Sequence, residues 1–139
     1  MRFIDSSTFL YAFLRPERPP PPDVAEMKAN AQNILKNIND GEPVVTSVIH
    51  VSEIANILET RIPSPQSRQI ISDIITKKTI EVTDVTRHLY TSSLRTAETH
   101  DVGLNDALAF NIMQQREIHE IYSFDKHFDE LPGVRRLTH

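Results

Sequence analysis

Four acids stand where carboxylate chemistry is easiest to build: Asp5, Glu53, Asp106 and Asp125. Asp5 closes the apolar pair Phe3-Ile4, and Asp125 follows Ile121-Tyr-Ser-Phe124. Asp106 stands after Asn105 at the start of an apolar stretch. Glu53 lies within a helical pattern, with Ile49 and Ile57 four residues to either side and therefore on its face. Val51, Ile54, Ala55 and Leu58 form a separate apolar stripe. A helix apolar on two faces sends Glu53 into a cleft or an interface rather than into open water. Singly, each acid has an ordinary role open to it: helix cap, first-turn acid, turn residue or solvated glutamate. Jointly they place like charges together, which is costly unless a cation neutralises them. Carboxylate oxygens suit hard cations, Mg²⁺ or Mn²⁺.

The elements that must position these acids follow from the hydrophobic pattern. Arg2 to Asp5 reads as a buried strand, Ser6-Ser7 as helix caps, and Thr8 to Leu14 as a short helix. Arg15 to Pro22, with its run of four prolines, reads as a stiff polyproline loop. Asp23 and Glu26 resemble a capping box opening a helix to about Asn39, closed by Gly41. Pro43 to Thr46 is a second strand, and Ser47 caps a helix from Val48 to about Thr60. Ser64-Pro65 opens a helix to about Lys77, Ile80 to Val82 is a strand, and Asp84 caps a helix to about Thr99. Asn105 caps a helix from Asp106 to about Arg116. Ile118 to Ser123 is a fourth strand, and after a polar loop Val134 to Leu137 is a possible fifth. Alternating strands and helices predict one domain over residues 1–139, an α/β/α sandwich around a mostly parallel sheet of four to five strands. In such a sheet ligands bind beyond the carboxyl ends of the strands, where Asp5 and Asp125 fall.

Composition narrows the function. Hydrophobic residues at 39% and charged residues at 24% match a globular chain rather than a disordered one. With no cysteine, there is no disulfide scaffold, cysteine nucleophile, iron–sulfur cluster or cysteine-based zinc site. Gly41, Gly103 and Gly133 are the only glycines, too scattered for a dinucleotide fingerprint or a Walker A loop. A net charge of −4 argues against a simple nucleic-acid-binding module, but not against an enzyme that gathers acids around cations. No apolar run approaches the roughly 20 residues that span a bilayer, and an acid within the first five positions argues against a signal peptide. A soluble, cytoplasmic protein without membrane partners is expected.

Four landmarks together carry a family resemblance: Phe3-Ile-Asp5-Ser-Ser, Ser47-Val-Ile-His-Val-Ser-Glu53, Asn105-Asp106-Ala-Leu-Ala-Phe and Ile121-Tyr-Ser-Phe-Asp125-Lys-His-Phe. In order and spacing the chain resembles the PIN-domain ribonucleases, most nearly the VapC-type toxins of prokaryotic toxin–antitoxin pairs, over nearly its whole length. The resemblance implies metal-binding acids at Asp5, Glu53, Asp106 and Asp125, with Ser123 orienting Asp5. It implies RNA as substrate, a homodimer, and a small antitoxin partner whose tail fills the acidic groove. The implied activity is a Mg²⁺- or Mn²⁺-dependent endoribonuclease: Asp5, Asp106 and Asp125 hold the metal, Glu53 joins them directly or through water, and a metal-bound water attacks phosphorus in line. The proline-rich loop departs from the family pattern without touching an acid.

Other residues have competing roles. Asp101, five residues before Asp106, either supports a second metal or caps a helix. Lys126 and His127 either contact phosphate or form an exposed loop, and Lys77-Lys78 and Arg135-Arg136 are solvated surface or RNA-backbone contacts. The six histidines contain no HxxxH pair, which argues against zinc. Rival functions are a PIN-domain RNA-processing nuclease without an antitoxin and a non-catalytic PIN-fold binding protein. A haloacid-dehalogenase-type phosphotransferase wants an aspartate two residues beyond Asp5, where Ser7 stands.

Overall fold

The computed structural model describes residues 1–15 and 18–139, so Pro16 and Glu17 of the proline-rich loop lie outside the described residues. Five parallel strands form one sheet: β1 (Arg2–Ile4), β2 (Val44–Ser47), β3 (Ile80–Thr83), β4 (Glu120–Tyr122) and β5 (Arg135–Leu137). Their order is β3-β2-β1-β4-β5. The chain thus builds outward from β1 through β2 to β3, then returns to β1's other side with β4. The order reverses between β1 and β4, and a crevice opens there at the strands' carboxyl ends.

Strand alternation assigns each face its core. Ile4, Val44 and Tyr122 point to one side, where α1 (Ser6–Phe13), α2 (Pro22–Asn39), α3 (Val48–Arg61) and α4 (Ser64–Thr76) pack. Phe3, Val45 and Ile121 point to the other side, against α6 (Leu104–Gln115), which is flanked by α5 (Arg87–His100). In α6, Ala107 to Phe110 and then Ile112 and Met113 are all buried, so this helix is apolar nearly all round. Truncating Leu108, which is fully buried, costs about 2–5 kcal/mol. This is the α/β/α sandwich that the sequence predicts, with every strand pair parallel.

Several helix starts differ from expectation. Asp5, not Ser6 or Ser7, caps α1, because its extended backbone lets the carboxylate accept from the Ser7 amide. Helix α2 begins at Pro22 after Pro21 with no side-chain cap, which leaves Asp23 as a first-turn acid. Pro63 precedes α4, so Ser64 is its first residue rather than its cap. Thr86 caps α5 by accepting from the Leu89 amide at 3.1 Å, displacing Asp84. Gly103 precedes α6, and Asn105 falls inside the first turn with its side chain free for other work. Strand β4 is shorter than Ile118 to Ser123, and the following loop contains a 3₁₀ helix, Lys126–Glu130. Ser47 caps α3 as expected, accepting from the His50 amide.

Candidate metal centre

The four acids arrive from four segments: Asp5 just past β1, Glu53 one turn into α3, Asp106 in the first turn of α6, and Asp125 three residues beyond β4. All four line one open groove of about 710 Å³ at the reversal of strand order. Ile57, Tyr90 and Gly103 complete its walls.

Asp5 is almost fully buried, and hydroxyls hold it. Its Oδ2 accepts from Ser7 Oγ at 2.8 Å and from Ser123 Oγ at 2.9 Å. Ser123 Oγ also accepts from the Asp125 amide at 3.0 Å, so one buried hydroxyl ties the acid after β1 to the acid after β4. Glu53 is gripped at both oxygens: Ser6 Oγ donates to Oε1, and Asn105 Nδ2 donates to Oε2 at 3.0 Å. Asp125 caps the 3₁₀ helix, its Oδ1 accepting from the His127 amide at 2.9 Å.

Asp106 carries the electrostatic signature. Burial first, then the neighbouring charges of Asp125 and Asp5, push its carboxyl up from 3.8 to about 8, with a smaller push from Glu53. A carboxyl that holds its proton near neutrality among three other acids is the response of a site short of positive charge. Ligand atoms of Asp106, Asp125 and His127 lie within 4.8 Å of one another, and His127 Nδ1 is 3.1 Å from Asp125 Oδ1. Hard carboxylate oxygens and one imidazole converging on such a spot fit a divalent cation.

The other candidates separate cleanly. Asp101 is the exposed C-cap of α5, in the left-handed region at φ 53°, and does not line the groove. Arg136 is engaged with Asp129 through two bonds and donates to the Ser123 carbonyl, and Arg135 pairs with Glu120. Lys77 and Lys78 precede β3, at the end of the sheet opposite the acids. Ile49 packs into the α6 core and Ile57 lines the groove, so the second apolar face of α3 is accounted for within the chain. Sequence reading treated Ser6, Ser7 and Asn105 as caps, whereas the fold also uses them to hold carboxylates. His50, fully buried, has only its spacing, three residues before Glu53, to mark it in the sequence.

The model for the PIN domain matches residues 2–134. A VapC ribonuclease of Mycobacterium bovis and ribonuclease VapC13 of Mycobacterium tuberculosis are each 31% identical over 116 residues, covering 80% of this chain and 86% of the relative. Among solved structures, the sarcin–ricin-loop-cleaving toxin VapC20 of Mycobacterium tuberculosis superposes with a TM-score of 0.72 at 20% identity, covering 90% of both chains. A chain of VapBC2 from Rickettsia felis, solved with a promoter DNA fragment, gives 0.65 at 13% identity, covering 98% of this chain and 96% of that one. Fold, acid placement and sequence likeness agree, and the chain belongs to the PIN-domain family, among the VapC-type ribonucleases.

Proposed function

We propose that the chain is a divalent-metal-dependent endoribonuclease, the toxin of a toxin–antitoxin pair. The observation that carries this reading is the single groove at the reversal of strand order that Asp5, Glu53, Asp106 and Asp125 all line, where burial and the neighbouring acids push the Asp106 carboxyl up. Asp5, Asp106 and Asp125 would hold Mg²⁺ or Mn²⁺, with Glu53 direct or through water, and the ion would supply an activated water and charge at the departing oxygen.

The chain's own residues supply positioning. Ser7 and Ser123 fix Asp5, and Ser6 and Asn105 fix Glu53, so neither acid spends rotamer freedom when substrate binds. His127, exposed at the rim with Nδ1 3.1 Å from Asp125 Oδ1, would either join Asp106 and Asp125 at the ion or meet a phosphate oxygen. No side chain is required as a covalent nucleophile. Purified chain should cleave single-stranded or looped RNA with Mg²⁺ or Mn²⁺ and stop in EDTA; undiminished cleavage in EDTA would remove the metal from the reaction. Ca²⁺ should substitute poorly, because its looser and higher coordination suits an in-line displacement less well.

The antitoxin partner and the homodimer belong to the same reading. A mostly apolar cleft of about 300 Å³, lined by Leu10, Tyr11, Leu14 and Val24, adjoins the acidic groove through Leu10. Arg15, Lys28 and Arg61 also line it, which suits a partner segment carrying both apolar and acidic residues. Leu94 and Val48, both well exposed, are surfaces for a second copy to cover. Light scattering should report a dimer, and a strict monomer at micromolar concentration would remove that part. No helix among the described residues is long and apolar enough to cross a membrane.

A further inference from the structure

We infer that His50 is a positioning residue for the acidic groove: it clamps the first turn of α6 onto α3 and, through Asn105, sets the orientation of Glu53. The inference deepens the metal-nuclease reading above and rests on it.

His50 has no exposed surface, and its ring packs edge-on against Phe3 with centroids 5.1 Å apart. Both ring nitrogens are engaged. Nε2 lies 3.1 Å from the backbone oxygen of Asn105, which can only accept, so Nε2 carries the hydrogen. Nδ1 lies 2.6 Å from Ser47 Oγ, and that hydroxyl already accepts from the His50 amide at 3.2 Å. Its own hydrogen is therefore free to go to Nδ1. A neutral imidazole with its hydrogen on Nε2 satisfies every donor and acceptor here. Burial reinforces this by lowering the pKa of the ring, outweighing the nearby charges of Asp5 and Glu53.

Asn105 turns this clamp into leverage on the site. A carboxylate can only accept, so the Asn105 amide nitrogen must face Glu53, as it does at 3.0 Å. Its Oδ1 then faces the Tyr90 hydroxyl at 3.4 Å. The residue is thus held at three points: its carbonyl by His50, and its side chain by Glu53 and Tyr90. Asp106 is the next residue along. One imidazole on the helix that carries Glu53 therefore fixes the turn that carries Asp106. A leucine of similar bulk would fill the space but take the imidazole donor away from the Asn105 carbonyl, leaving it only its partner within the helix.

The test uses the full chain with His50→Leu, which removes the donor, and His50→Gln, which keeps an N–H donor. In the parent, ¹⁵N NMR should show a neutral His50 protonated at Nε2; protonation at Nδ1 would overturn the clamp, and this readout needs no variant. His50→Leu should weaken Mn²⁺ binding, read by electron paramagnetic resonance, and lower kcat on RNA, each about tenfold, the order expected when a residue supporting metal ligands is lost. KM for RNA should change little. His50→Gln should recover most of both losses. Adding Asn105→Ala to His50→Leu should cost less than the two single losses combined, since both act on Glu53. A His50→Leu chain that melts lower yet matches the parent in Mn²⁺ affinity and kcat would show mere core filling. A His50→Gln chain as impaired as His50→Leu would also overturn the inference. If His50→Leu does not fold, the tautomer and the glutamine variant decide. A parent that neither binds Mn²⁺ nor cleaves RNA removes the functional reading itself, and is told apart from failure of the clamp by the tautomer.

Discussion

Ser123 Oγ donates to Asp5 Oδ2 at 2.9 Å across 118 positions of sequence, joining the carboxyl ends of two neighbouring strands. The same hydroxyl accepts the Asp125 amide. Ser123→Ala should therefore cost about 1–3 kcal/mol, since it strips a buried carboxylate of a donor and leaves a backbone N–H unmet. Cleavage should fall by about 10- to 100-fold if Asp5 holds the metal as proposed, because the serine that orients it is lost. Denaturant melts and initial cleavage rates measure the two effects separately.

Asp106 makes the metal-free fold sensitive to pH in a direction opposite to an ordinary ion-paired acid. Its carboxyl titrates near 3.8 when unfolded and at about 8 when folded, so the folded chain holds a proton that the unfolded chain has released. Stability from this group is complete below about pH 3.8 and is lost as pH rises through about 8. The metal-free parent should lose melting temperature relative to Asp106→Asn across that window. The buried imidazole of His50 works the other way, favouring the fold as pH rises, but it is present in both chains and cancels in the comparison. Parallel curves for parent and variant would deny the Asp106 effect.

Adding Mg²⁺ should reverse the penalty. At a hundredfold excess over its Kd, a ligand bound only by the folded state stabilises it by about 2.7 kcal/mol. The parent should approach that figure, and Asp106→Asn should gain much less and lose cleavage by orders of magnitude. Thermal melts with and without Mg²⁺ on the two chains measure it.

Surface cations should divide by location. Lys126 directly follows the groove acid Asp125 in sequence, whereas Lys77 and Lys78 precede β3 at the opposite end of the sheet. Lys126→Gln should weaken RNA binding and lower the slope of affinity against salt by about one, as for a single lost phosphate contact. Replacing Lys77 and Lys78 together should leave both unchanged. Filter binding across a salt series distinguishes these outcomes.

The sheet and the helices on its two faces were legible in the sequence because alternation and helical spacing are local patterns. Helix starts were less legible. At Asp84 and Thr86, or Ser6 and Asp5, several residues able to cap lie within two positions, and backbone geometry decides among them. The four acids could be named because each sits at an element's end or on a doubly apolar helix. Their supports could not, since Ser6 and Asn105 look like caps in sequence and meet Glu53 only after distant segments pack. His50 was invisible for a related reason: a lone histidine among apolar neighbours reads as core until both its nitrogens find partners. Asp101 was ambiguous between cap and ligand, and the left-handed backbone at its position places it as the cap.

Because the groove draws one wall from the first strand and another from the loop after the fourth, its assembly is a late product of folding. Closing a loop of over a hundred residues is entropically slow, and no local helix can substitute for the pairing of β1 with β4. A nascent chain still lacking β4 has no Asp125, and Ser123 does not yet hold Asp5. During translation, such a chain carries Asp5, Glu53 and Asp106 without the groove that gathers them beside Asp125. A protease nick that frees the segment beyond α6 would take Asp125 and Ser123 out of the groove again.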